Sequence, residues 1–153
     1  MKLDLKKTYL ITGGAGFLGN SLIARLEKMG IKNIRTISRN EGKLVALKEK
    51  FPFIEIIPGD ISDSYCTEKV VQGVDAIFHL AAFKHVGLAE QNVRECVLGN
   101  VTGTLNILEM TRKYPIEFIL GISTDKAAQV SGVYGASKLL HERLFSDYER
   151  INS

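Results

Sequence analysis

The chain has 153 residues, of which 45% are hydrophobic and 24% are charged, values typical of one globular domain with a packed core. They exclude a disordered or collagenous chain, and no apolar run approaches the about 20 residues that a membrane-spanning helix requires. The formal net charge is only +3 and the lysines are scattered, which argues against a nucleic-acid-binding protein, because such proteins carry clustered positive charge.

Cysteine and histidine do not form the patterns of a metal site. Cys66 and Cys96 lack the paired spacing of zinc or dithiol sites, so we expect both to be reduced, buried small side chains. His79, His85 and His141 show no i, i+4 pairing. The N-terminus also lacks the apolar core of a signal peptide. We therefore expect a cytoplasmic protein without a resident metal.

Apolar periodicity predicts five buried strands that alternate with five helices. The strands are expected over residues 9–12, 34–38, 54–58, 76–80 and 118–123. The helices are expected over residues 16–29, 42–51, 63–72, about 90–113 and 134–151. This alternation is typical of an α/β fold with a doubly wound parallel sheet, because parallel neighbours need a helical crossover. We predict one domain over residues 1–153.

The first strand leads directly into a glycine-rich turn at residues 12–19, and a helix follows. In a dinucleotide-binding turn, Gly13 would allow the tight bend, Gly16 would let the backbone approach a pyrophosphate, and Gly19 would let the helix pack on the strand. The helix N-terminus would offer free N–H groups to the phosphates. The alternative is a tight turn without a ligand. The expected contacts in this Rossmann-type fold are Thr12, Gly13, Gly16, Phe17, Leu18 and Gly19.

The end of the second strand selects between the two nicotinamide dinucleotides. NAD-binding sites place an acidic residue here to accept the ribose hydroxyls, but this chain reads Ser38-Arg39-Asn40. A guanidinium cannot accept a hydroxyl proton, whereas it can pair with a 2′-phosphate and stack on adenine. We therefore expect NADP, contacted by Ser38 and Arg39. The alternative is that Arg39 is a solvated charge and that Glu41 takes the acidic role.

Asp60 and Ile61 follow a Pro-Gly turn at the end of the third strand. Asp60 is suited to accept a hydrogen bond from the adenine amino group, with Ile61 as an apolar neighbour, so we expect both to contact the cofactor. Asp60 could equally cap the helix that is predicted to begin near Asp63. The sequence does not separate these two interpretations.

Tyr134 and Lys138 lie one turn apart at the start of the last predicted helix, on the same face. A phenol with a pKa of about 10 is a poor base at neutral pH, but a nearby ammonium and a positive nicotinamide ring would lower that pKa. Such a pair alone is common and usually has no function. Here it follows a strand that ends in Ser123-Thr124, which favours a pair that moves a hydroxyl proton during hydride transfer.

Together these motifs resemble the extended short-chain dehydrogenase/reductases over nearly the whole chain. The resemblance rests on the glycine turn, on His79-Leu80-Ala81-Ala82, on Asn100 in Asn-Val-Thr-Gly-Thr, and on the Tyr-x-x-x-Lys pair. Two segments, Phe83-Lys84-His85-Val86 and Thr124-Asp125-Lys126-Ala127, are similar to the inverting UDP-N-acetylglucosamine 4,6-dehydratases of bacterial polysaccharide biosynthesis. The resemblance implies further cofactor contacts from Ala81, Ala82, Lys84, Asn100, Tyr134 and Lys138.

The resemblance also implies a reaction, in which the sugar is oxidised at C4, loses water across C5 and C6, and receives the hydride at C6. Tyr134 would take the C4 hydroxyl proton, with Thr124 bonded to the same oxygen and Lys138 holding the ribose. Lys126 would remove the C5 proton if its pKa is lowered. Asp125 would protonate the departing C6 hydroxyl if its pKa is raised. Without the resemblance, Asp125 and Lys126 would be interpreted as a solvated loop pair.

Two positions depart from the pattern, since Val130 and Gly132 stand where the family tends to have Pro and Asn. Because that loop positions the sugar, an epimerase or reductase of a related sugar nucleotide is an alternative. A non-catalytic NADP-binding module is another, although it would not need Thr124, Tyr134 and Lys138 together.

Members of this family are considerably longer than this chain, and their C-terminal part supplies a sixth strand and the pocket for the nucleotide of a UDP-sugar. We therefore expect an N-terminal fragment without the substrate part, nearly inactive alone, with the fifth strand as an unpaired edge. The predicted helices 90–113 and 134–151 carry apolar stripes on faces that need not all meet the sheet. The resemblance implies that these helices pair across a dimer, so we expect a homo-oligomer.

Overall fold

The computed structural model describes residues 3–152, with the backbone alone at 152, and its centre is a five-stranded sheet. The strands are β1 Tyr9–Thr12, β2 Ile34–Ser38, β3 Glu55–Pro58, β4 Ala76–His79 and β5 Phe118–Gly121. All neighbouring strands are parallel, in the order β3-β2-β1-β4-β5. The predicted doubly wound parallel sheet is confirmed.

Seven α-helices among the described residues follow or connect the strands. They are α1 Phe17–Lys28, α2 Glu41–Lys50, α3 Ser64–Val71, α4 Val86–Gln91, α5 Val93–Val97, α6 Gly103–Lys113 and α7 Val133–Asn152. A π-helical turn, Leu98–Thr102, joins α5 to α6, and a 3₁₀ turn, Asp125–Ala127, precedes α7. Within residues 3–152, none of these helices combines the length and apolarity needed to cross a bilayer.

The helix predicted over about 90–113 is interrupted, so that prediction was wrong in its continuity. Asn92 has φ −132° and ψ 56°, which is not helical, and it separates α4 from α5. The chain then widens into the π-helical turn around Asn100 before α6 begins. Apolar periodicity could not show these breaks because all the pieces share nearly the same spacing. The other predicted ends differ from the structure by one or two residues.

Alternating side chains of the central strands fill a core on each face of the sheet. Tyr9 and Ile11 belong to one core, whereas Leu10, between them, belongs to the other. All residues of β1 and β4 are buried because these strands are central. In contrast, β5 is an edge of the described sheet, and Leu120 and Ile122 are each 40% exposed.

Both cysteines are free thiols. Cys96 is buried as predicted, but Cys66 is only half-buried, because the buried face of α3 is formed by Thr67, Val70 and Val71. Within residues 3–152, no three His, Cys, Asp or Glu side chains form a group that could hold a metal ion.

Gly19 is closely packed against the backbone of the glycine turn. An ideal Cβ on Gly19 would lie 2.4 Å from the Cα of Gly14 and 2.5 Å from the carbonyl oxygen of Gly13. We expect Gly19→Ala to lower the free energy of unfolding by at least about 1–3 kcal/mol, the usual cost of overpacking. Denaturant unfolding measures this cost.

The matched control is Gly87→Ala in α4, because nothing lies within 4 Å of its ideal Cβ and alanine favours a helix. This control should be at least as stable as the wild type. Equal stabilities of the Gly19→Ala and Gly87→Ala variants would contradict the close approach of α1 to the glycine turn.

Candidate active site

A cavity of about 470 Å³ opens at the carboxyl ends of the strands. It lies where the connections switch from one side of β1 to the other, which is the usual ligand-binding position in open α/β sheets. Most of the predicted cofactor contacts line it, namely Gly13, Gly16, Phe17, Leu18, Gly19, Ser38, Arg39, Asp60, Ile61, Ala81, Ala82, Lys84, Tyr134 and Lys138. Thr12 and Asn100 are absent from this lining.

The glycine turn brings backbone, without side chains, to the floor of the cavity. Gly13 has φ +72°, a left-handed conformation that disfavours other residues, and an ideal Cβ there would lie 2.9 Å from the backbone of Ala81. Gly16 occupies the N-cap of α1 and carries no side chain that could bond the first N–H groups of the helix. These N–H groups and the positive end of the helix dipole are suited to bind a pyrophosphate.

Thr12 lies beneath the cavity and links two of the segments that surround it. Its Oγ1 accepts hydrogen bonds from the backbone N–H groups of Leu80 and Ala81, both at 3.1 Å. Thr12 is fully buried. Thr12 therefore joins the end of β1 to the segment that follows β4, and its contact with a cofactor stays a prediction.

Asn100 is hydrogen-bonded to the backbone of a segment that lines the main cavity. Its Oδ1 accepts from the backbone N–H of Phe83 at 2.6 Å, and its Nδ2 donates to the carbonyl oxygen of Phe83 at 2.9 Å. Nδ2 also lies 2.9 Å from Ser137 Oγ. Asn100 is 1% exposed, so in this structure it supports the segment that carries Ala82 and Lys84, and its contact with a cofactor stays a prediction.

The end of β2 places positive charge at the cavity. Arg39 and Lys43 both line it, whereas Glu41, the alternative acceptor for ribose hydroxyls, does not. The Arg39 guanidinium lies 3.5 Å from the Asp60 carboxylate, and its side chain is 58% exposed. This arrangement leaves the guanidinium accessible to an anionic ligand while Asp60 orients it.

Asp60 does not cap α3. Its Oδ1 accepts from the backbone N–H of Ser62 at 2.9 Å, and the cap is Asp63, whose side chain accepts from the N–H of Cys66. The capping interpretation of Asp60 was therefore wrong, since Asp63 occupies the N-cap position. Asp60 instead faces the cavity, with Ile61 beside it.

Lys138 is buried beside the first turn of α7. It is 3% exposed, and its Nζ donates to the carbonyl oxygen of Ile122 at 2.6 Å. Burial lowers the pKa of Lys138 to about 8, and the negative charge of Glu142 acts in the opposite direction. Tyr134 and Lys138 line the same cavity as the glycine turn, so the two distant motifs meet at one site.

A second cavity, of about 320 Å³, adjoins Tyr134. Its walls carry one carboxylate and one ammonium, Glu90 and Lys126, and the remaining lining residues are Val86, Ser131, Gly132 and Gly135. Tyr134 lines both cavities. A ligand in either cavity would therefore lie beside Tyr134.

Of the Thr124–Lys126 triplet, only Lys126 lines either cavity. Thr124 Oγ1 donates to Asp125 Oδ1 at 3.0 Å, and the Asp125 side chain is 82% exposed. This hydrogen bond, together with the Lys126 ammonium, lowers the pKa of Asp125. The raised pKa that Asp125 needs to act as an acid is thus not present in the chain without substrate, because the 3₁₀ turn is open to solvent and the carboxylate is paired. Burial of Lys126 is also not found, since its side chain is 56% exposed.

Sequence reasoning missed a chain of buried hydrogen bonds beneath the main cavity. Thr12 Oγ1 lies 2.8 Å from His79 Nδ1, and His79 Nε2 lies 3.0 Å from Thr104 Oγ1. His141 Nδ1 lies 2.8 Å from the same Thr104 oxygen. Burial lowers the pKa of His79 to about 3 and that of His141 to about 4. Both imidazoles are therefore neutral at physiological pH.

The hydrogen bonds at the two ends of this hydrogen-bond chain determine which groups donate and which accept. Thr12 Oγ1 already accepts two N–H groups, so its proton goes to His79 Nδ1. Thr104 donates to the carbonyl oxygen of Asn100 at 2.7 Å, so both imidazoles donate to Thr104. A histidine in the otherwise apolar strand β4 was the available signal, because a buried imidazole needs polar partners.

The burial of Lys138 makes the stability of the fold depend on pH in a defined direction. The folded chain releases this proton near pH 8, whereas an ordinary lysine holds it to 10.5. Between these values the unfolded chain binds more protons, so the free energy of unfolding rises with pH. We expect this contribution to be on the order of 2–3 kcal/mol and to disappear in Lys138→Met.

Denaturant unfolding from pH 7 to 10.5 measures that contribution as the difference in slope between the two proteins. The exposed Lys69 supplies a control, since Lys69→Met should keep the wild-type slope. Parallel curves for the wild type and Lys138→Met would show that Lys138 titrates normally.

Comparison with known proteins places the chain among sugar-nucleotide enzymes. The family model for polysaccharide biosynthesis protein matches residues 9–153. The inverting UDP-N-acetylglucosamine 4,6-dehydratase of Campylobacter jejuni is 34% identical over 143 residues, which cover 92% of this chain and 43% of that protein. A UDP-glucose 4-epimerase of Rickettsia rickettsii is 35% identical over 155 residues, which cover 96% and 45%.

An uncharacterised membrane protein of Methanocaldococcus jannaschii is 41% identical over 140 residues, which cover 90% of this chain and 42% of that protein. The chain thus spans less than half the length of these relatives. The solved structure of Pen from Bacillus thuringiensis matches with a TM-score of 0.91 and 32% identity, covering 97% of this chain and 47% of that one. The relatives thus include a sugar-nucleotide dehydratase and a sugar-nucleotide epimerase, and the chain belongs to the polysaccharide biosynthesis protein family.

Proposed function

We propose that this chain is the NADP-binding and catalytic N-terminal part of a longer UDP-N-acetylglucosamine 4,6-dehydratase that inverts C5. The observation that carries the proposal is that the glycine turn, Arg39 and the pair Tyr134 and Lys138 all line one cavity. The choice of reaction is supported by the resemblance of the segment Thr124-Asp125-Lys126-Ala127 to the inverting dehydratases.

The residues of the main cavity fit a dinucleotide that carries a 2′-phosphate. Gly13 has no room for a side chain against the backbone of Ala81, as the tight turn requires, and Gly16 carries no side chain that would keep a pyrophosphate from the backbone. Arg39 and Lys43 supply positive charge at the end of β2, which suits a phosphate better than neutral ribose hydroxyls. When bound, NADP would supply the hydride acceptor for the sugar C4 and the hydride donor for C6.

The side chains around Tyr134 would handle the protons of the reaction. Tyr134 would take the proton of the C4 hydroxyl, with Thr124 bonded to that oxygen. Lys138 is held by the Ile122 carbonyl, so its remaining N–H groups can bind the ribose hydroxyls. Lys126 lines the second cavity beside Tyr134, where it would take the C5 proton. Asp125 would act as the acid only after the bound substrate covers the 3₁₀ turn and raises its pKa.

A 4-epimerase is the second candidate, and the state of Asp125 favours it. The Asp125 carboxylate is exposed and its pKa is lowered, so the acid for water elimination is not yet in place. An epimerase needs no such acid, because it only removes and returns hydrogen at C4. The identity to a UDP-glucose 4-epimerase is comparable to that of the dehydratase.

The choice of NADP predicts a selective effect of Arg39→Ala. We expect the affinity for NADPH to fall about tenfold or more, the value of a charge-assisted hydrogen bond, while the affinity for NADH changes less than about twofold. Fluorescence titration of the chain with each dinucleotide measures both. Arg112→Ala, at the far end of α6, is the control and should bind both as the wild type does. Tighter binding of NADH than of NADPH would refute the choice of NADP.

The product distinguishes the two reactions in the full-length protein that contains this chain. With UDP-N-acetylglucosamine and NADP in deuterated water, a dehydratase gives a product that lacks one water and carries deuterium at C5. An epimerase gives a product of unchanged mass without deuterium. Tyr134→Phe should reduce either reaction at least about 100-fold. Normal NADPH binding without any turnover would indicate a non-catalytic module and would refute both enzyme proposals.

Three further expectations stay predictions. They are a UDP-sugar as the small-molecule partner, a homo-oligomer, and a cytoplasmic location. A soluble extract in which the full-length protein elutes at the mass of one chain would contradict the oligomer.

A further inference from the structure

We propose that Glu90 is a positioning residue that caps helix α7 from the neighbouring helix α4 and thereby fixes Tyr134 at the second cavity. The inference concerns this chain's own hydrogen bonds, and its catalytic consequence rests on the function proposed above. It begins with the N-terminus of α7, which carries Tyr134 as its second residue.

Helix α7 has no side-chain cap of its own at the expected place. The N–H of Ala136 donates to the carbonyl oxygen of Gly132 at 3.0 Å, which makes Gly132 the N-cap residue. Glycine has no side chain that could accept from the first N–H groups of the helix. A helix end without such a partner leaves its N–H groups to water or to another element.

Glu90 supplies the missing acceptor. Its Oε1 accepts from the backbone N–H of Val133 at 2.7 Å, and Val133 is the first residue of α7. An ideal Cβ on Gly132 would lie 2.4 Å from the same Oε1. The absence of a side chain at Gly132 therefore provides the space that the Glu90 carboxylate occupies. A negative charge at this helix end is also favoured by the helix dipole.

The capped turn is packed against the turn that carries Lys126. An ideal Cβ on Gly135 would lie 2.6 Å from the carbonyl oxygen of Lys126, so the first turn of α7 touches the 3₁₀ turn backbone to backbone. Glu90, Lys126, Tyr134 and Gly135 all line the second cavity. Movement of the first turn of α7 would therefore displace the phenol and the Lys126 turn together.

The direct test is amide hydrogen exchange at the first turn of α7, measured on the chain without substrate. We expect Glu90→Ala to increase exchange at Val133 about fivefold, the usual effect of a lost cap, while amides of β1 and β4 are unchanged. Glu90→Gln keeps an oxygen acceptor and should restore most of the protection. Unchanged exchange at Val133 in Glu90→Ala would overturn the proposal.

A double-mutant cycle with Gly132 separates capping from general destabilisation. Gly132→Ser alone would push the Glu90 carboxylate away, whereas in the Glu90→Ala background its hydroxyl has room and can cap the helix itself. We therefore expect the double variant to be better protected at Tyr134 and Gly135, whose N–H groups a serine at the N-cap can bond, than Glu90→Ala alone, a non-additive result. Additive loss of protection would show that the contact between these residues is not a cap.

Turnover of the full-length protein tests the consequence for Tyr134. We expect Glu90→Ala to lower kcat about tenfold or more through misplacement of the phenol, with NADPH affinity unchanged and with rescue by Glu90→Gln. Loss of NADPH affinity together with kcat would indicate a structural role and would overturn positioning. If the wild type shows no turnover, the proposed function fails, whereas the exchange cycle still decides whether Glu90 caps α7.

Discussion

The site depends on a chain of buried hydrogen bonds that runs from Thr12 through His79 and Thr104 to His141. It joins the end of β1, β4, α6 and α7 beneath the main cavity. Because burial lowers the pKa of both imidazoles, all the side chains of this hydrogen-bond chain are uncharged, and each donor in it has an acceptor. Such a satisfied polar network specifies one arrangement of the elements above it. It therefore holds the glycine turn and the first turn of α7, which are far apart in sequence, around one cavity.

The two cavities differ in the groups that line them and therefore in the ligand that each suits. The main cavity presents glycine backbone and four basic side chains, Arg39, Lys43, Lys84 and Lys138, which suits the phosphates of a dinucleotide. The second presents the Glu90 carboxylate and the Lys126 ammonium, which suits a ligand rich in hydroxyl groups. Tyr134 is common to both, so it lies where a hydride carrier and a sugar would meet. The exposed, ionised Asp125 is the part of the proposed machinery that this chain alone does not prepare.

The glycine turn and the Tyr134–Lys138 pair could be predicted from the sequence because each depends on spacing within one turn and its adjoining helix. The buried hydrogen bonds of Thr12 and Asn100 could not be predicted, since a motif indicates which residue a fold requires and not which partners its side chain finds. The cap from Glu90 could not be predicted, because it depends on how α4 packs against α7. The breaks between α4, α5 and α6 were missed because the spacing of apolar residues does not report the backbone angles of a single residue such as Asn92.

A crystal structure of the chain with NADPH bound would test most directly whether the two motifs form one site. We expect the pyrophosphate on the backbone N–H groups of residues 13–18, the 2′-phosphate beside Arg39, and the nicotinamide next to Tyr134 and Lys138. A dinucleotide bound outside this cavity, or a Tyr134 hydroxyl turned away from the nicotinamide, would contradict the proposed active site.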